Sequence, residues 1–410
     1  MPVKDGLFVQ IRELLQVQPT EVQRVRGADM AHLPRLANAW LLVLDGIIAD
    51  YGTMDQLPES TVPIHDCTDR YILPALVDSH THLVFPGWRE EEFVMRLKGL
   101  DYEAIAKAGG GILNTANKLA AMDEEMLYED ALARAQVLMN SGTGAIEIKS
   151  GYGLSMESEL KMLRVIRRLK DNLPIEVRAT FLGAHAIPAR YQHYPEGYVD
   201  EIIGQMLPRV AGEGLADYID VFCERGYFSP VHMDRILEAG AAYGLKAKVH
   251  VNQFSSMGGL EVALKHQALS VDHLEVMATG DLELLAGSNT IPVALPGCSF
   301  FLGIPYAPAR QMIDMGMPLV LATDYNPGSS PSGNMPFVLS LACIKLKMTP
   351  NEAIHAATIN AAAALELNDD MGSISRGKKA KLIITKPMPS LEYWMYAFGN
   401  GADMVQELVV

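Results

Sequence analysis

Two kinds of pattern divide this chain. From about residue 75, short apolar runs rich in β-branched residues alternate with longer stretches whose apolar positions recur every three or four residues. The short runs read as strands at 75–82 (ALVDSHTH), 144–149, 175–183, 218–223, 246–251, 269–273, 290–295 and 318–324. The periodic stretches, among them 124–139, 156–170, 231–243 and 257–266, read as amphipathic helices. Strands that alternate with helices pair in parallel and are covered on both faces, so near-continuous apolar runs are expected of them. Eight such units are the number that closes a barrel. The predicted fold is α/β: a TIM-like (β/α)8 barrel over about 73–368.

The two ends are patterned differently. Residues 38–52 (NAWLLVLDGIIADYG) are two apolar runs around Asp45-Gly46, a tight hairpin signal. Residues 372–385 are turn residues followed by another β-branched run. The expectation is a small β-sandwich domain composed of both termini, 1–72 plus 369–410. At 410 residues and 49% hydrophobic, the chain can fill one large core and a small accessory one.

Charge narrows the partners. A net charge of −15 argues against nucleic acid and against an anionic membrane surface. A small anionic substrate stays possible if a local cation receives it. No apolar run reaches about 18 residues, so no membrane span is expected. The first residues mix Lys4, Asp5, Gln10, Arg12 and Glu13 among apolar ones, unlike a secretory leader. Cys67, Cys223, Cys298 and Cys343 form no close pair, which suits reduced thiols and a cytoplasmic protein.

The candidate chemistry sits where strands end. His80 and His82 are two apart on the first barrel strand and point to one side. His250 ends the fifth strand, His273 the sixth and Asp324 the eighth. Side chains at the C-terminal ends of barrel strands converge on one face. Four imidazoles and a carboxylate gathered there make a metal site. With no thiolate among them, zinc or iron in a catalytic setting is expected rather than a structural zinc. His193, His232, His266 and His355 have no such placement and are expected to be surface or structural. In binuclear barrel hydrolases that this chain resembles, a lysine on the fourth strand often bridges two ions; the fourth strand here has none and Lys149 ends the second instead, so that resemblance implies a single ion. Gly109-Gly110-Gly111 is followed by no Gly-Lys-Ser/Thr, so it is no phosphate loop; a lid or a close backbone approach fits it better.

The segments LPALVDSHTHL (73–83) and LATDYNPGSSP (321–331) resemble the first- and eighth-strand motifs of the amidohydrolase superfamily. More narrowly, FPGWREEEFVMRLKG (85–99), AGGGILNT (108–115), EIKSGYGL (147–154), FLGAHAIP (181–188), VDHLE (271–275) and ATDYNPGSSP (322–331) resemble the imidazolonepropionases. That resemblance implies one metal ion held by His80, His82, His250 and Asp324, and a cyclic amide, imidazolone propionate, opened to N-formimidoyl-glutamate. It implies substrate contacts from Arg89, Tyr152, His185, Gln253, Asn326, Gly328 and Ser329, and a homodimer. Each contact makes sense chemically. Arg89 can grip the propionate with two N–H groups. Tyr152 and His185 can hydrogen-bond the ring or the carboxylate, and Gly328 and Ser329 can offer backbone N–H groups to an anion. One departure matters: the run here is His250-Val251-Asn252-Gln253, where the family usually has Ala-Asp and then Glu or Gln after the histidine, and the base role open to a Glu is closed to Gln253. An amide is no useful base near neutral pH, so Gln253 is left to orient the ring.

The implied mechanism has His273 orient a water or stabilise the developing oxyanion, while Asp324 takes the water's proton and relays it to the ring nitrogen. An alternative within the superfamily is a deaminase of a purine, pyrimidine or triazine, which has no carboxylate for Arg89 to bind. A second alternative, a barrel that has lost its ligands and serves as an assembly, is disfavoured because every ligand position is filled.

Overall fold

The computed structural model describes residues 5–100 and 110–409. Eight strands form one parallel sheet in chain order: β6 (Leu76–Thr81), β7 (Thr143–Lys149), β8 (Glu176–Ala184), β9 (Tyr218–Cys223), β10 (Lys246–Val251), β11 (Ser270–His273), β12 (Ile291–Ala294) and β13 (Val320–Leu321). They match the expected strands within a few residues, except the last. Only Val320 and Leu321 pair as β13, and three residues on the backbone turns into the left-handed region at Asp324 (φ 54°). The segment still closes the barrel. The Asp324 N–H donates to the His80 carbonyl at 3.0 Å, and the His82 N–H to the Tyr325 carbonyl at 2.9 Å. Asp78 braces the seam, accepting from the Thr323 N–H (3.0 Å) and hydroxyl (2.6 Å); burial nonetheless pushes its carboxyl up to about 7.

Helices cover the barrel as their periodicity requires. Met156–Asn172, capped by the Ser155 side chain, buries Leu160, Leu163, Ile166 and Leu169. Glu124–Asn140, capped by Asp123, buries Leu127, Ala131, Ala135 and Leu138. These apolar stripes and the outward faces of the strands share one continuous core.

Where a β-sandwich is expected from the two ends, both termini join in one sheet of seven strands. β1 (Gly6–Leu15), β2 (Arg35–Leu44), β3 (Ile47–Thr53), β4 (Ile64–Asp66) and β5 (Tyr71–Pro74) join β14 (Leu382–Thr385) and β15 (Val405–Val409). The order is β15-β14-β5-β1-β2-β3, with β4 also on β1. Asp45 and Gly46 turn the hairpin with φ of 51° and 74°, positive at both positions as the tight turn requires. Phe8, Ile11, Leu41, Val43, Ile72, Leu382 and Ile384 give this sheet its own apolar core. A single residue, Ala75, connects the two sheets, since β5 ends at Pro74 and β6 begins at Leu76.

Candidate active site

β6 and β10 end beside each other's ligands at the C-terminal mouth of the barrel. His80, His82, His250, His273 and Asp324 are all buried there. The Nε2 atoms of His82 and His250 lie 3.3 Å apart. Asp324 Oδ1 is 3.4 Å from His80 Nε2 and 3.5 Å from His82 Nε2. Ligands about 2.0–2.1 Å from a tetrahedral ion stand roughly 3.4 Å from one another. The spacing therefore fits one small cation.

The hydrogen bonds fit it too. His80 Nδ1 donates to Asp272 Oδ2 at 2.6 Å, and His250 Nδ1 donates to Asp220 Oδ2 at 2.8 Å. A carboxylate only accepts, so each ring's proton is on Nδ1 and its Nε2 lone pair faces the shared point. His80 Nε2 has no hydrogen-bond partner although it is buried. Burial first, then the neighbouring imidazoles and Lys149, hold His80, His82 and His250 well below the ordinary imidazole range. They are neutral donors. The backbone is strained at the same place: His273 (φ 89°), Leu274 (φ 69°), Asn252 (φ 59°) and Asp324 (φ 54°) occupy the left-handed region.

Above this cluster opens a cavity of about 630 Å³. His82, His250, His273 and Asp324 form part of its floor, and Arg89, Tyr152, His185, Gln253, Asn326, Gly328 and Ser329 line it. His185 stacks on His82 with centroids 5.1 Å apart and donates from Nδ1 to the Gly151 carbonyl at 3.0 Å. Burial pulls its imidazole down to about 4. Gln253 Nε2 contacts Cys298 Sγ at 3.4 Å. Arg89, just before helix Glu90–Leu97, pairs with Glu92 at 2.6 Å, both side chains nearly buried. A Cβ at position 328 would stand 2.4 Å from Arg89 Nη1, so only glycine lets the guanidinium lie there.

The amidohydrolase family's profile matches residues 71–409. The imidazolonepropionase of Flavobacterium johnsoniae is 56% identical over 405 residues, 98% of each chain. That of Christiangramia forsetii is 54% identical, over 97% of this chain and 98% of its own.

The chain belongs to the amidohydrolase family, in its imidazolonepropionase group.

Solved structures share the architecture at greater distance. E. coli guanine deaminase superposes with a TM-score of 0.74 at 15% identity, covering 99% of this chain and 97% of that one. A zinc-bound adenosine deaminase from Xanthomonas campestris gives 0.68 at 15%, covering 98% and 91%. At that identity the likeness is one of fold. Family and donor cluster together point to a divalent metal in this chain.

The candidate donors and substrate contacts named from the sequence meet at this mouth, with His80 beneath the cavity floor rather than on it. One expectation fails. The backbone N–H groups of Gly328 and Ser329 do not face an anion; both donate to Asn326 Oδ1, at 2.8 and 2.7 Å. Asn326 closes a side-chain turn on its own loop, a local capture typical of asparagine. His355, His266 and His232 lie elsewhere. His355 is buried against Gln16, His266 binds Asp234, and His232 completes a capping box with Ser229. Of the glycine run, Gly109 lies outside the described residues, while Gly111 opens helix Gly111–Ala121 and donates its N–H to Glu92 Oε1 at 2.8 Å.

Sequence reasoning missed the residues that support the donors. Asp220 and Asp272 orient two imidazoles, and Glu275 Oε1 receives His273 Nδ1 at 3.4 Å. Arg96, whose guanidinium donates to the Gly328 carbonyl at 2.6 Å, and Arg225 line the cavity as well. A signal for some of these was present: charged or polar residues two apart within apolar strands, as in Glu147–Lys149, Lys248–His250 and Ser270–Asp272.

Proposed function

We propose that the chain hydrolyses the ring amide of 4-imidazolone-5-propanoate to N-formimidoyl-L-glutamate, the third step of histidine breakdown. The observation that carries this reading is one cavity with a nearly buried arginine on its wall and neutral imidazole donors at its floor, in a chain 56% identical to a curated imidazolonepropionase.

His80, His82, His250 and Asp324 would hold one ion, and this nitrogen and oxygen set suits zinc or iron. Such an ion, when bound, polarises a carbonyl and lowers the pKa of water toward 7. The chain's own groups do the rest. Arg89 receives the propionate in place of Glu92. Tyr152 and His185 flank the ring, and Gln253 orients it without taking a proton. His273 faces the ring carbonyl. Burial alone would lower its pKa, but the Glu275, Asp324 and Asp272 carboxylates outweigh burial and raise it. It therefore donates to the developing oxyanion. Burial pushes the Asp324 carboxyl up to about 6, against the pull of His273. That places it to accept a proton from water and deliver it to the ring nitrogen as the C–N bond breaks. Water's oxygen ends on the new carboxylate; one of its protons ends on the released ring nitrogen and the other on the basic formimidoyl group, which becomes an amidinium, so the step balances.

The same reading makes the protein a cytoplasmic homodimer. No helix among the described residues is long and apolar enough to cross a membrane, and the exposed aromatic face of Phe300 and Phe398, bridged by Phe337, supports self-association.

The test is direct. Chelator-stripped protein reloaded with zinc or iron is expected to convert imidazolone propionate to formimidoyl-glutamate, with close to one ion per chain by elemental analysis. Equal turnover of an imidazolone lacking the propionate would overturn the substrate assignment.

A further inference from the structure

Beneath the donor cluster the barrel interior is charged. The Lys149 side chain is wholly buried, and its Nζ lies 2.8 Å from Glu147 Oε1, 3.0 Å from Asp220 Oδ2 and 3.8 Å from Asp272 Oδ2. Those two aspartate oxygens are the ones that accept from His250 Nδ1 and His80 Nδ1. One ammonium on β7 thus touches the supports of two candidate ligands on two other strands. The second buried lysine differs. Lys248 Nζ contacts the Ser270 hydroxyl at 2.9 Å and reaches Asp272 only through it.

We propose that Lys149 is a positioning residue for the metal centre: its ammonium fixes the Asp220 and Asp272 carboxylates, and through them the tautomer and aim of His250 and His80. A buried carboxylate with two oxygens can turn to satisfy itself. Here one oxygen of each aspartate faces both the lysine and a ring N–H, so the rings cannot rotate without breaking a charged contact. Burial alone would lower the pKa of Lys149, but Asp220, Glu147 and Asp272 outweigh it and raise it. The same surroundings exclude the other chemistry open to a barrel lysine. A carboxylated Nζ would put a fourth anion against Glu147, Asp220 and Asp272, so Lys149 does not bridge a pair of ions.

The inference rests on the metal reading above, and the experiment separates the two. Lys149→Met combined with Glu147→Gln removes one charge of each sign and leaves the net charge of the cluster unchanged; Glu147→Gln alone is the control. Stripped proteins are titrated with zinc against a chromophoric chelator, and cobalt-loaded samples are compared by visible absorption. The double variant is expected to lose about 10- to 100-fold in zinc affinity, as loss of ligand support usually costs. Its cobalt spectrum is expected to shift, and its kcat to fall with little change in KM. The control is expected to stay near wild type. Wild-type protein that binds no zinc sinks the metal reading itself. A folded double variant with wild-type affinity overturns the role of Lys149 alone. An affinity loss with an unchanged cobalt spectrum and a collapsed Tm of the metal-free protein assigns Lys149 to folding only and also overturns it. Should the double variant not fold, Lys149→Gln keeps N–H donors without the charge and is read by the same criteria.

Discussion

Two side chains separate binding from chemistry at the scale of single residues. His273 is held by Glu275 and forms a second donor group with His80 and Asp324, yet the triplet of nitrogens from His80, His82 and His250 is complete without it. His273→Ala is therefore expected to keep its metal and lose about 10²- to 10⁴-fold in kcat, the usual contribution of a placed proton donor. Elemental analysis beside steady-state kinetics checks this, and a near-normal kcat would remove His273 from the mechanism. Arg89 is the opposite case. It meets the substrate away from the bond that breaks, so Arg89→Ala is expected to raise KM with kcat largely kept. A charged hydrogen bond is worth about 1.5–3 kcal/mol, so kcat/KM is expected to fall roughly 10- to 150-fold. A propionate-free analogue is expected to show no such loss. If wild type and variant discriminate against the analogue equally, the carboxylate is bound elsewhere.

At the scale of elements, the loop after β13 shows how a strand end becomes a site. Asp324 leaves the strand with positive φ, Asn326 folds the next residues onto its own side chain, and Gly328 presents a bare backbone to Arg89. Gly328→Ala is expected to displace the guanidinium and lower kcat/KM about tenfold or more, with metal content and Tm near wild type. A crystal structure with Arg89 unmoved, or unchanged kinetics, would contradict this. The same loop marks the limit of what the sequence disclosed. Strand positions and the donor cluster were legible because a period-two pattern and a strand end are local facts, and HxH, His250 and Asp324 each sit at one. The use of the Gly328 and Ser329 N–H groups was misread because it depends on which way one amide side chain turns. Asp220, Asp272 and Lys149 were visible as charges in apolar strands. Their roles were not, because each is defined by a partner on another strand: Asp220 by His250, Asp272 by His80, and Lys149 by both aspartates.

At the scale of the whole molecule, the barrel and the terminal sheet meet at a titratable contact. His355, on helix Pro350–Ala357, receives the Gln16 amide on Nδ1 at 3.0 Å and donates from Nε2 to the His32 carbonyl at 3.1 Å. Gln16 directly follows β1, so this ring ties the terminal sheet to a barrel helix. Burial pulls its pKa down to about 4; the His32 carbonyl and Glu352 oppose that, and the His32 ring adds to it. In the unfolded chain an imidazole titrates near 6.5. Above that pH the ring is neutral in both states and adds no pH dependence. Below it the unfolded chain takes up a proton that the folded one resists, so stability falls with falling pH from about 6.5 to 4. The loss is on the order of 3 kcal/mol by the lower end of that window, at about 1.4 kcal/mol per unit. His355→Gln cannot take up that proton. It is expected to be less stable than wild type at pH 7.5, having lost a ring that bonds on both sides, but to lose less on acidification. The other buried histidines titrate in both proteins, so the difference between the two denaturation curves, measured every half unit from pH 7.5 to 4, isolates position 355. Parallel curves would show that this junction carries no acid sensitivity.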